Sequence, residues 1–124
     1  MNTEDIPGIP NRDKRFEELM VDCYGQAEEL AAMEVYFTDA MQFPFEAEWR
    51  DPDEPGQVEP VTVLGVADVD ERRGVLLKVK RGKAERRLVA DQVWAKSKNS
   101  ANATVLDDYR YWVNELNGLT PGFE

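Results

Sequence analysis

The segment FPFEAEWRDPDEP, residues 43–55, is where the periodicity of the chain turns from helical to alternating. Phe45, Ala47 and Trp49 interleave with Glu46, Glu48 and Arg50, the period-two pattern of a strand with one buried face. Pro44 disfavours helical geometry in the residue before it, so a helix arriving from the N-terminal side has to stop here. After Arg50 the run DPDEPGQ is turn chemistry, rich in Pro, Asp and Gly. The segment also crowds Glu46, Glu48, Asp51, Asp53 and Glu54 into nine residues. Such a cluster repels itself unless it is simply hydrated or something positive lies against it.

Upstream the chain reads as helix over 13–41. Phe16, Leu19, Met20, Cys23, Tyr24 and Ala27 follow one helical face, and Gly25 marks a break or kink. Ala27, Leu30, Ala31, Phe37 and Met41 form a second stripe, with Glu28, Glu29 and Glu34 opposite. Cys23, on the apolar face, is expected to be a small buried hydrophobe. Residues 1–11, with Pro7, Gly8 and Pro10, read as a loose lead-in.

Downstream, VEPVTVLGVADV is the next strand, with Gly65 expected at a bulge or bend. DVDERRG reads as a turn, VLLKVKR as a strand, and Gly82-Lys83 as a tight hairpin into AERRLVADQVW. Four or five short strands over 44–95 predict a small antiparallel barrel of the SH3 type. Val105, Tyr109, Trp112 and Leu116 lie at offsets of four, seven and eleven, one helical stripe. Thr104 is expected to cap that helix, with Asp107 completing a short capping box and Asp107 and Asp108 meeting the positive end of the dipole. Gly118 is expected to close it in left-handed geometry. The reading is α+β: N-terminal helices, a small SH3-like barrel, and a covering helix over 104–117, in one domain of 124 residues.

Charge is unevenly spread. Through Glu71 there are 19 acidic and 4 basic residues; from Arg72 onward there are 11 basic and 6 acidic, for a net charge of −10. An acidic whole repels phosphate at long range, so nucleic acid is not an expected partner. No apolar run approaches the roughly 18 residues of a membrane span. A start without a basic and apolar leader, and a single cysteine, point to a cytoplasmic protein.

The absence of histidine removes the commonest general base and the usual zinc ligand. No glycine-rich phosphate loop and no nucleophile elbow occur, so catalysis is not expected. Carboxylate oxygen remains, the ligand of hard cations such as calcium. Two loops offer it: Asp51, Asp53 and Glu54, and Asp68, Asp70 and Glu71. The first loop places Asp51, Asp53 and Gly56 at the first, third and sixth positions of an EF-hand loop. Pro55 and Thr62 then stand where the fifth and twelfth ligands belong, so it is not an EF-hand. Spacing alone leaves both loops open between hydrated turns and cation sites.

The segments YFTDAMQFPFEAE, VTVLGVAD and DDYRYWV, in this order and spacing, resemble the cyanobacterial-type calcium-binding protein family known as CcbP. The resemblance runs from about Glu28 to Val113. It implies Ca2+ binding through surface acidic residues without EF-hands, and a role in calcium buffering or signalling. The chain departs from that acidic family between Arg72 and Lys98, where 10 basic residues meet 2 acidic ones. Lys78, Lys80 and Arg86 there are expected on the exposed face of edge strands. The alternative reading is a non-catalytic interaction module that presents acidic and basic faces to a protein partner or to a second copy of itself.

Overall fold

The alternation at Phe45–Trp49 produces the strand it predicts. In the computed structural model, which describes residues 11–119, β1 (Phe45–Arg50) buries Ala47 and leaves Glu46 exposed. β2 (Val58–Asp70) runs antiparallel to it, from Phe45 opposite Val63 to Arg50 opposite Val58. β3 (Gly74–Arg81) and β4 (Ala84–Val89) continue the meander, and a short 3-10 turn leads into β5 (Val93–Ala95) on the far side of β1. The resulting order is β4-β3-β2-β1-β5.

β4 does not pair with β5, so the sheet is open and the expected SH3-like barrel does not close. The reason is visible in the edges. β5 is three residues long, and β4 carries the exposed charges Glu85, Arg86 and Arg87, which discourage further pairing. The apolar face that a barrel would curl around is covered by helices instead. Gly65 lies at one of two register shifts where β2 bulges, as its position predicts. Gly82 opens the two-residue β3–β4 turn with φ 62, which glycine adopts without strain.

The helical region divides into α1 (Arg12–Leu19) and α2 (Gln26–Ala40), with the break at Gly25. Leu30, Met33, Phe37 and, just beyond the helix, Met41 face the sheet; Ala27 and Ala31 do not. Cys23 and Tyr24 belong to the connection between the helices. Tyr24 is exposed and Cys23 only partly covered, so neither is the core residue expected.

α3 spans Ala101–Asn114 and so begins earlier than its sequence reading. Ser100, not Thr104, caps it: its hydroxyl accepts the Ala103 N–H at 3.1 Å. Asn102 then ties this first turn to the end of α2, exchanging two hydrogen bonds with the Gln42 backbone. Asp107 and Asp108 therefore sit mid-helix, away from the dipole's positive end. Val105, Tyr109 and Trp112 are buried, but Leu116 lies past the helix in solvent. Asn117, not Gly118, takes the left-handed conformation, with φ 54. Gly118 instead lies flat against the Trp112 ring, where any Cβ would collide.

Two close contacts weld α3 to the rest. The Tyr109 hydroxyl accepts the Val75 N–H at 2.8 Å and occupies the space a Cβ on Gly74 would need. Asp108, completely buried, accepts hydrogen bonds from Arg12 Nε at 3.0 Å, Arg15 Nε at 2.8 Å and the Tyr36 hydroxyl at 2.6 Å. One carboxylate thus holds α1, α2 and α3 together. The bond to Asp108 raises the Arg15 pKa, while burial, and then the same carboxylate, pushes the Tyr36 hydroxyl far above its usual value. Removing one partner of a buried pair strands the others. Asp108→Asn is expected to cost about 3 kcal/mol in denaturant unfolding. Glu85→Gln, which breaks the exposed pair with Lys78, should cost less than about 1 kcal/mol in the same measurement.

Candidate metal centre

Asp51, Asp53, Glu54, Asp70 and Glu71 lie at sheet turns, while Asp68 lies near the end of β2, opposite Leu76. In the β1–β2 turn the Asp51 N–H donates to the Gln57 carbonyl at 3.2 Å, and the Gln57 N–H donates to the Glu54 carbonyl at 2.9 Å. The Asp51 Oδ1 accepts the Asp53 N–H at 2.9 Å, the side chain mimicking a backbone turn. Gly56, with φ 98, completes the reversal. Asp53 and Glu54 project into solvent.

The β2–β3 turn is built the same way. Asp70 Oδ1 accepts the N–H groups of Arg72 and Arg73 at 2.8 and 2.9 Å. These two bonds, Arg73 first, hold its carboxyl below the ordinary 3.8. Asp68 Oδ1 accepts the Val69 N–H, and the Glu71 carbonyl accepts Gln26 Nε2 at 2.9 Å, joining the turn to the start of α2.

Asp51, Asp53 and Glu54 therefore cluster at one end of β2, and Asp68, Asp70 and Glu71 at the other. A strand rises about 3.3 Å per residue, so ends separated by a strand of 13 residues cannot share an ion. Among the described residues no three carboxylate or thiol groups converge as a ready-made cation cage. The donor chemistry nonetheless fits Ca2+. Hard oxygens are exposed at each turn, and calcium accepts backbone carbonyls, water and irregular geometry to complete its shell. In Asp51 and Asp70 one carboxylate oxygen serves the turn, in Asp68 one accepts the next residue's N–H within β2, and the other oxygen of each makes no hydrogen bond within the described residues. Glu46 and Glu48, earlier in the same acidic segment, are engaged: Thr62 Oγ1 donates to Glu46 at 3.2 Å, and Arg50 pairs with Glu48 at 3.5 Å.

The residues that sequence reasoning missed are cationic. Arg50 and Arg110 both stack on Trp94, with guanidinium carbons 4.2 and 3.4 Å from the ring centroid. Nothing in the sequence pairs positions 50, 94 and 110; they meet only because β5 docks between β1 and α3. Asp108 did leave a signal. It stands on the same helical stripe as Val105 and Trp112, where a carboxylate demands a buried partner.

Fold and site together define a small acidic α+β protein that presents its carboxylates on the turns of an open antiparallel sheet. The chain belongs to the CcbP calcium-binding family, whose profile, described as calcium binding, matches residues 14–113. Calcium is the ion of that family. A solved structure of a calcium-binding protein in its calcium-binding form is similar, with a TM-score of 0.71 and 21% identity over 90% of this chain and 97% of the other. The crystal structure of Anabaena CcbP is similar at TM-score 0.70 and 22% identity, covering 91% of this chain and 95% of that one. At these identities the structural likeness is one of fold. No curated protein matches the chain by sequence.

The hydrogen bonds at Asp70 make a testable statement. Its folded pKa is depressed, so whatever ionised Asp70 contributes is fully present above the unfolded value and fades as pH falls through the folded one. At neutral pH the carboxylate is charged and available to a cation. A carboxyl-detected NMR titration is expected to place the Asp70 midpoint below 3.8, and a midpoint at or above that value would contradict the turn geometry.

Proposed function

We propose that this protein binds calcium through exposed acidic residues on its two sheet turns, without EF-hands, and acts as a calcium buffer in the cytoplasm. Asp51, Asp53 and Glu54 form one site, and Asp68, Asp70 and Glu71 the other. Family membership carries the reading, since both turns fall inside the matched residues 14–113. The turns' own hydrogen bonds support it. They fix each backbone reversal and leave carboxylate oxygens free for a cation. Sites so exposed are screened by salt, which suits moderate affinity.

Buffering is favoured over sensing because both turns tip a sheet whose opposite face is packed on helices. Ion binding there has no hinge to move. The bond from Gln26 to the Glu71 carbonyl ties the β2–β3 turn to the start of α2.

A second reading rests on the sheet's solvent face. Cross-strand registers place Glu46 and Glu48 of β1 on the same face as Lys78, Lys80 and Arg87 of β3 and β4. Such a face suits an acidic or basic protein surface, and an interaction module of that kind should be indifferent to calcium.

Calorimetric titration of metal-free protein with calcium, repeated in excess magnesium, decides between them. Calcium at about a hundred times its dissociation constant should stabilise the fold by roughly 2.7 kcal/mol in a thermal melt. Replacing Asp51, Asp53 and Glu54 by Asn, Asn and Gln should remove one site, and the same treatment of Asp68, Asp70 and Glu71 the other. If both variants titrate like the parent, the ligands lie elsewhere. A large change in scattering radius on calcium binding would favour a sensor over a buffer.

A further inference from the structure

The cavity beside Trp94 is independent of the acidic turns, and its charge is of the opposite sign. Arg110 reaches it from α3. Its Nη1 donates to the Val93 carbonyl at 2.6 Å, its Nη2 pairs with Asp107, and only 9% of the residue is exposed. Arg50 reaches the same indole from β1. Both guanidiniums therefore stack on one indole, with their carbons 3.4 and 4.2 Å from the ring centroid. Burial, which disfavours the charged form, lowers the Arg110 pKa from its ordinary value, with Arg50 adding to the effect and Asp107 and Asp91 opposing it. An arginine nonetheless stays protonated in a protein.

Arg50, Trp94, Arg110, Lys98, Asp107 and two alanines line a recess of about 240 Å³. Ala95 and Ala103 leave the room in it. Lys98 has no ion-pair partner among the described residues. Arg110 has five N–H donors, and its bonds to Val93 and Asp107 do not exhaust them. Among the described residues Arg50's ion-pair partner is Glu48, at the long distance of 3.5 Å and on a half-buried side chain. The lining itself thus carries three cations and one carboxylate, with Glu48 beside Arg50 and Asp91 acting on Arg110 from outside it. This occurs in a chain whose net charge is −10.

We propose that this recess binds a small phosphate-bearing anion. A phosphate group carries close to two negative charges and would meet Lys98, which has no ion pair among the described residues, together with the spare N–H donors of the two arginines. Its several acceptor oxygens suit guanidinium forks, which bind such groups bidentately. The recess has room for inorganic phosphate or a small phosphate ester, and not for a nucleoside triphosphate. The acidic remainder of the molecule, repulsive at long range, excludes polymeric phosphates from the same site.

The test uses the intact chain, freed of metal on a chelating resin because soluble chelators are themselves anions, at about 0.15 M ionic strength. Inorganic phosphate is the probe, followed by calorimetry and by indole fluorescence. Binding is expected to saturate, with a fluorescence change that Trp94→Phe removes while the calorimetric signal persists. Arg50→Gln and Lys98→Gln, both at exposed positions, should each weaken binding about tenfold. The paired change Arg86→Gln and Arg87→Gln removes as much charge or more on the distant β4 edge and should leave affinity within about twofold. Equal weakening by the β4 pair would mean general attraction and overturn the proposal. So would acetate binding as tightly as phosphate, or no saturation below about 10 mM phosphate.

Discussion

Asp108 is a carboxylate with no access to water, and the positions of all three helices depend on it. Arg12 and Arg15 bring α1, Tyr36 brings α2, and Asp108 itself belongs to α3. A charge so placed is tolerable only while every donor stays in position, because each one removed leaves the others unpaired in a poor solvent for ions. The penalty falls on wrong arrangements more than it favours the right one. Apolar contact alone would let α1 slide over its neighbours, since its apolar content is small; the guanidinium geometry fixes where it lies. The T-shaped contact between Phe16 and Tyr111 and the stacking of Arg12 on Tyr111 depend on that placement.

Much of the architecture could be read from local pattern. β1 announced itself by strict alternation from Phe45 to Arg50, and the β3–β4 hairpin by Gly82-Lys83, because period and turn chemistry are properties of a few adjacent residues. The same locality misled at α3. Thr104 and Asp107 imitate a capping box, whereas the true start at Ser100 is fixed by Asn102 binding Gln42, a contact between residues 60 apart in sequence. Barrel closure is likewise a global property. The strands look the same whether they curl onto each other or lie open under two helices, and here the length of β5 and the charges on β4 settle it.

The acidic turns illustrate how far composition reaches into function. Asp and Glu in a turn are equally at home as hydrated turn residues and as ligands, and the structure shows Asp51 and Asp70 doing the first task with one oxygen each. The cationic cluster was out of reach of any such reading. Arg50, Trp94 and Arg110 carry no spacing that links them, and their meeting is a product of strand order. Chemistry that depends on adjacency in sequence was visible; chemistry that depends on adjacency in space was not.

Were both acidic turns to hold calcium as proposed, their placement at opposite ends of β2 would set the shape of the response. Electrostatic communication between exposed groups fades over about 8 Å at physiological ionic strength, far less than the length of that strand. Two ions bound there would neither help nor hinder each other, so coupling between them vanishes. The turns also differ in build: one is closed by prolines and glycine, the other pinned by the Arg72 and Arg73 amides. Uncoupled sites of unequal strength fill one after the other, spreading uptake across a broad range of ion concentration. A protein of this form would blunt a calcium rise in proportion to its size instead of flipping at a threshold.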